Sequence, residues 1–87
     1  MPYTVEIERQ PAKFLRALND QRLHSRLRNV IDSLAENPRA MGCEKMQGSS
    51  ELYRVRVGDY RILYEIRDAV LVVLVVKIGN RRDIYRG

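Results

Sequence analysis

The sequence predicts a small α+β domain, a helical hairpin laid on a β-sheet. Three observations carry this. Two stretches near the N-terminus repeat apolar residues at helical spacing, the second half of the chain alternates at strand spacing, and Gly58-Asp59 joins two alternating runs as a tight turn. Strands grouped after helices indicate α+β and not an alternating βα plan. The 87 residues suit one domain, 1–87, with no room for a second core. A core this small is marginal alone, so a tight partner would change its stability considerably.

Each element has its own signal. Tyr3 to Glu8 alternates apolar and polar residues, as a half-buried strand does. Pro11 suits the first turn of a helix, and Ala12, Phe14, Leu15, Ala17 and Leu18 give it an apolar stripe. Asp20 can cap a second helix, whose apolar face is Leu23, Leu27, Val30, Ile31, Leu34 and Ala35. Asn37-Pro38 ends that helix. Residues 39–50 lack periodicity and read as a loop. Leu52–Val57 and Tyr60–Ile66 alternate on either side of Gly58-Asp59, where glycine supplies the positive φ of a type II′ turn. Val70–Ile78 is nearly all β-branched or Leu, as in a strand that is central or covered on both faces. Gly79-Asn80 should break it. The order is β-α-α-β-β-β, followed over 82–85 by a short last strand or an irregular tail.

Composition narrows the chemistry. With 45% hydrophobic and 31% charged residues the chain folds and is not disordered. A net charge of +5 favours a nucleic acid, an acidic protein or an anionic membrane surface, although many basic domains bind none of these. Cys43 is the only cysteine and His24 the only histidine, which excludes an internal disulfide and argues against a zinc site. No signal-like N-terminus is visible, and Val70–Val76 is too short to span a bilayer. A cytoplasmic protein without membrane contact is the expectation. His24 should lie on the surface of the second helix, and Cys43 should be a packing residue in the loop.

The two-residue turn fixes a register. Val57 faces Tyr60, Arg56 faces Arg61, Val55 faces Ile62, Arg54 faces Leu63, and Tyr53 faces Tyr64. Tyr53, Val55, Val57, Tyr60, Ile62 and Tyr64 then share the face that meets the helices, while Arg54, Arg56 and Arg61 share the other. Arginine opposite arginine is unfavourable unless something uses it. The functional reading is a phosphate-binding face, since the guanidinium fork matches phosphate oxygens. The alternative is a solvated face neutralised by Glu65 or Glu51. Lys77, Arg81, Arg82 and Arg86 crowd the C-terminal stretch around Tyr85. Such a patch can hold RNA phosphates and stack a base, though a lone tyrosine more commonly packs on a sheet edge.

The stretches Leu52–Ile66 and Val76–Arg86, with Asn37-Pro38-Arg39 and Lys45-Met46-Gln47-Gly48 before them, resemble the RelE/ParE toxin family. The resemblance covers nearly the whole chain. It implies a small antiparallel sheet on two N-terminal helices, and a bacterial toxin held by a cognate antitoxin, in a complex that can bind its operator DNA. RelE-like members cut mRNA in the ribosomal decoding site without a metal or cofactor, by attack of the 2′-hydroxyl on the adjacent phosphate. Position by position, it makes Arg54, Arg56, Arg61, Arg81 and Tyr85 the catalytic set, with Lys77, Arg82 and Arg86 binding RNA. Many relatives have a histidine where this chain has Asn80. That leaves Tyr85 as the implied base, its phenolate favoured by nearby cations. The ParE branch, which poisons DNA gyrase without being an enzyme, shares the fold and is the alternative, together with an inactive member that only binds its antitoxin.

Overall fold

A computed structural model describes residues 2–39, 42–48 and 51–80. Strand β1 (Thr4–Ile7) leads into α1 (Arg9–Ala17) and α2 (Gln21–Ser33). Strands β2 (Cys43–Lys45), β3 (Leu52–Val57), β4 (Tyr60–Arg67) and β5 (Val72–Asn80) follow, with a short 3₁₀ turn at Asp68–Val70. Pro11 lies in the first turn of α1, and the Asp20 carboxylate accepts the Leu23 N–H at 3.1 Å, so both helix starts follow the sequence signals.

The five strands run in the order β1-β5-β4-β3-β2. Strands β2 to β5 are antiparallel, as expected, but β1 joins β5 in parallel, so the sheet is mixed. The connection explains the direction. The chain leaves β1 at the hairpin-tip end, where Gln10 bonds the Ile78 backbone and Phe14 meets Tyr60. It returns along α2 to the other end, where Ala35 C=O accepts the Tyr3 N–H at 2.7 Å. Three further boundaries differ from the sequence expectation. The stretch that reads as a loop contains β2, β5 begins at Val72 because Val70 closes the 3₁₀ turn, and β5 runs on through Gly79-Asn80, because both residues pair with β4.

The β3–β4 register is the one the turn implies, Arg56 with Arg61 and Val57 with Tyr60. Gly58 has φ +60° and Asp59 is not among the positive-φ residues, which fits type II′. The helices cover one sheet face. Their buried Leu15, Leu27, Ile31 and Leu34 pack with Val57, Ile62, Tyr64, Ile66, Val73, Val75 and Ile78. Cys43, a free thiol on β2, packs half-buried at the edge of this core.

At the end away from the hairpin tip, Arg39 ties the elements together. Its guanidinium makes a two-point ion pair with Asp68 (2.8 and 3.1 Å) and lies over the Tyr53 ring. The Tyr3 hydroxyl donates to the same carboxylate at 2.6 Å, and the buried Tyr64 hydroxyl donates to Pro38 C=O at 2.8 Å. No helix among the described residues is long and apolar enough to cross a membrane.

Candidate nucleic-acid interface

Strand pairing arranges the side chains of the open sheet face in rows. Beginning at the Arg39 end, they read Thr4–Val72–Arg67, then Glu6–Leu74–Glu65–Leu52. Next comes Lys77–Leu63–Arg54–Glu44, and beside the hairpin tip Gly79–Arg61–Arg56. Among the described residues, the two rows nearest the tip thus hold four cations and a single acid. Leu63, 9% exposed, forms an apolar floor between Lys77 and Arg54. Gly79, which carries no side chain, is the β5 partner of Arg61.

A bulge delivers Lys77 to this face. Leu63 pairs with Lys77 while Tyr64 pairs with Val75, so Val76 is an extra residue. Strict alternation from Val73 and Val75 would send Lys77 into the core. The bulge reverses the phase, and Ile78 takes the core position instead, fully buried.

Most acids near the face are engaged. Glu65, one of two acids expected to neutralise the cluster, accepts two bonds from Arg67 at 2.9 and 3.1 Å. Glu44 pairs with Arg54 at 2.9 Å across β2–β3. The Arg54 hydrogen bond and then its charge hold the Glu44 carboxyl below its ordinary value, and the charge of Arg61 lowers it further. Glu44 is therefore ionised and within the field of both arginines. Sequence reasoning misses it because residues 39–50 carry no strand pattern. Arg56 bends toward the tip, where its Nε donates to Gly58 C=O at 3.0 Å.

Of the residues the sequence singles out, the structure brings together Arg54, Arg56, Arg61 and Lys77. Arg81, Arg82, Tyr85 and Arg86, and the short strand anticipated over 82–85, lie outside the described residues. His24 sits half-buried on α2, on the sheet face opposite the arginine rows, lining a hollow with Leu15, Arg16, Leu18, Gln21 and Ser25. Among the described residues no cluster of His, Cys, Asp or Glu is arranged to hold a metal.

Fold and face together define a small α+β protein with a cationic sheet surface suited to a polyanion. The family model for the ParE toxin of type II toxin–antitoxin systems matches residues 5–85, and the chain belongs to this RelE/ParE toxin family. Toxin RelE of Mycobacterium tuberculosis is 31% identical over 85 residues, covering 98% of this chain and 88% of its own. The mRNA interferase toxin RelE of Escherichia coli is 25% identical over 83 residues, covering 93% and 85%. A chain of the archaeal RelE–RelB complex from Pyrococcus horikoshii superposes with a TM-score of 0.78 at 30% identity, covering 93% of this chain and 97% of that one.

Proposed function

We propose that the protein is the toxin of a type II toxin–antitoxin pair, a cytoplasmic mRNA interferase that cleaves mRNA on the ribosome without a metal. The observation that supports this reading best is the pair of rows holding Arg54, Arg56, Arg61 and Lys77 on one open face. Family membership supports the toxin of a toxin–antitoxin pair, and the E. coli relative's name supports the interferase activity. In the reaction the RNA's 2′-hydroxyl attacks the adjacent phosphorus. A P–O2′ bond forms, the P–O5′ bond breaks, and the 5′ oxygen leaves with a proton. Arg61, with Arg54 and Arg56, stabilises the charge that builds on the phosphorane, which is often the largest catalytic term. Arg81 joins them by resemblance.

Arginine stays protonated and is a poor base. Two groups are candidates to take the 2′-hydroxyl proton: Glu44, for its place in the arginine row, and Tyr85, for the resemblance. A site with limited acid–base power depends on substrate positioning, which can contribute on the order of 7–11 kcal/mol at best. A ribosome holding mRNA in near-in-line geometry supplies it. The P. horikoshii relative is in complex with RelB, and a cognate antitoxin here covers the basic face or displaces the tail, in a toxin–antitoxin complex that binds its operator DNA.

The test is single-turnover cleavage of mRNA on programmed ribosomes beside the same RNA free in solution. Cleavage on the ribosome alone is expected. Equal rates on free RNA would end the ribosome-dependent reading. No cleavage in either setting, together with inhibition of DNA gyrase, would assign the protein to the ParE-like branch.

A further inference from the structure

Two arginines from different elements converge on one glycine at the hairpin tip. The Arg26 guanidinium, from α2, lies against Gly58, with Nη1 3.5 Å from where a β-carbon there would stand. From the open face Arg56 reaches the same residue and bonds its carbonyl at 3.0 Å. Arg22 is one turn before Arg26 and shares its side of α2. All three side chains are exposed, and none makes an ion pair among the described residues. Asp59, the next residue in the turn, is engaged with none of them. The contrast with Arg28 on the same helix is direct, since Arg28 pairs with Asp32. Like charges drawn to one point without a carboxylate between them are unfavourable until an anion arrives. The cations also form a continuous path. It runs from Arg61 to its cross-strand neighbour Arg56, around Gly58 to Arg26, and along α2 to Arg22.

We propose that Arg26 and Arg22, joined to the sheet face through Arg56, form a second phosphate subsite that holds the RNA backbone next to the phosphate being cleaved. This rests on the nuclease reading above and adds a direction to it: the bound strand leaves the sheet face around the hairpin tip and not across β1. Guanidinium groups spaced along a path fit successive phosphates of a single strand, each held by a fork of donors. The subsite reads no base, so it adds affinity and register without sequence preference.

The experiment uses the full chain and oligoribonucleotides with a 2′-deoxy sugar at the cleavage position, which bind but are not cut. Affinity is measured against salt for a short oligonucleotide and for versions extended on the 5′ or the 3′ side. Wild type should bind one of the extended versions more tightly. In R22Q/R26Q that gain should disappear, and the slope of log affinity against log salt should fall by about 0.7 for each phosphate the variant no longer neutralises. R28Q removes a positive charge from another side of α2 and should keep both the gain and the slope. Arg and Gln have similar helix propensity and these positions are exposed, so the variants should melt near the wild-type temperature. An unchanged length gain and slope in R22Q/R26Q would overturn the subsite, and so would equal losses in R28Q. Wild-type binding with these properties but no cleavage on ribosomes would sink the nuclease reading and leave the subsite standing.

Discussion

Two ends of the same sheet use arginine in opposite ways. At one end Arg39 is saturated: a two-point carboxylate partner, a phenol hydroxyl, and an aromatic ring beneath it. It joins the loop after α2 to the β4–β5 turn, and through Asp68 to Tyr3 before β1. At the other end Arg56, Arg61 and Lys77 share a face on which Glu44, an acid of the same rows, is held by Arg54 at the sheet edge. The difference shows what separates a structural arginine from a functional one. A lone cation gripped at two points by a carboxylate fastens the fold, whereas cations crowded on one open face raise its positive potential and suit it to an anion supplied from outside. Substitutions at the first end should lower stability and spare the chemistry, and those at the second should do the reverse.

The largest effect expected is at Arg61. Arg61→Ala should slow single-turnover cleavage on programmed ribosomes by about 10²–10³-fold if it acts like an oxyanion-hole donor. The melting temperature should change little. A variant that unfolds and loses activity in parallel would erase the distinction between the two ends.

Next comes the proton acceptor. If Glu44 takes the proton, Glu44→Gln should slow cleavage by about 10²-fold or more, and Tyr85→Phe by less. The pH profile separates the two candidates independently. Glu44 titrates below its ordinary value of 4.5 and acts as the carboxylate. The cleavage rate should therefore stay level through neutral pH and fall only in acid. A Tyr85 phenolate would instead make the rate climb as pH rises into the alkaline range. The steeper loss in Tyr85→Phe, with an alkaline rise in wild type, would return the role to Tyr85.

What the sequence reveals of this face follows from what strand patterns encode. The turn Gly58-Asp59 and the alternation on both sides fix register and facing, so Arg54, Arg56 and Arg61 can be placed together from the sequence alone. Alternation says nothing of strand direction, which is why the parallel entry of β1 is invisible there. Lys77 stands out by charge and resemblance, but its facing depends on the Val76 bulge, which pairing with β4 creates and no local motif announces. Glu44 escapes notice because three residues between glycine-bearing segments carry too short a pattern to register as a strand. The available signal is chemical: an acid between Cys43 and Lys45 that could meet Arg54 if residues 43–45 paired with β3.

At the structural end, Tyr64→Phe should act on stability alone. The hydroxyl is buried and is the partner of Pro38 C=O. Its removal leaves that carbonyl without this bond, at about 1–3 kcal/mol. A lower denaturation midpoint with an unchanged slope, and wild-type cleavage below the transition, are the expected results. Tyr64 also stacks on Tyr53, ring centroids 6.1 Å apart, and a selective loss of cleavage in the folded variant would mean that this stack communicates with the arginine rows.

The smallest effect, and the most specific, is the pH dependence of the Arg39–Asp68 pair. The hydrogen bonds from Arg39 and then from Tyr3 hold the Asp68 carboxyl at about 2, below its ordinary 3.8. A carboxyl depressed in the folded state stabilises the protein while it is ionised. The contribution is complete above the unfolded value of 3.8 and disappears as pH falls through about 2. Asp68→Asn keeps the shape and removes the charge. Its melting temperature should therefore lie below wild type at neutral pH by a constant margin, and the margin should close between pH 4 and pH 2. The pair is solvent-exposed, so the margin is small and should shrink further in high salt. Single-turnover cleavage at neutral pH should match wild type, because Asp68 lies at the opposite end of the sheet from Arg56 and Arg61. A margin that persists unchanged at pH 2 would show that Asp68 acts through neutral hydrogen bonds to Tyr3 and not through its charge. A cleavage defect in this variant would break the separation of the two ends, since it would tie the fastening of the fold to the geometry of the phosphate site.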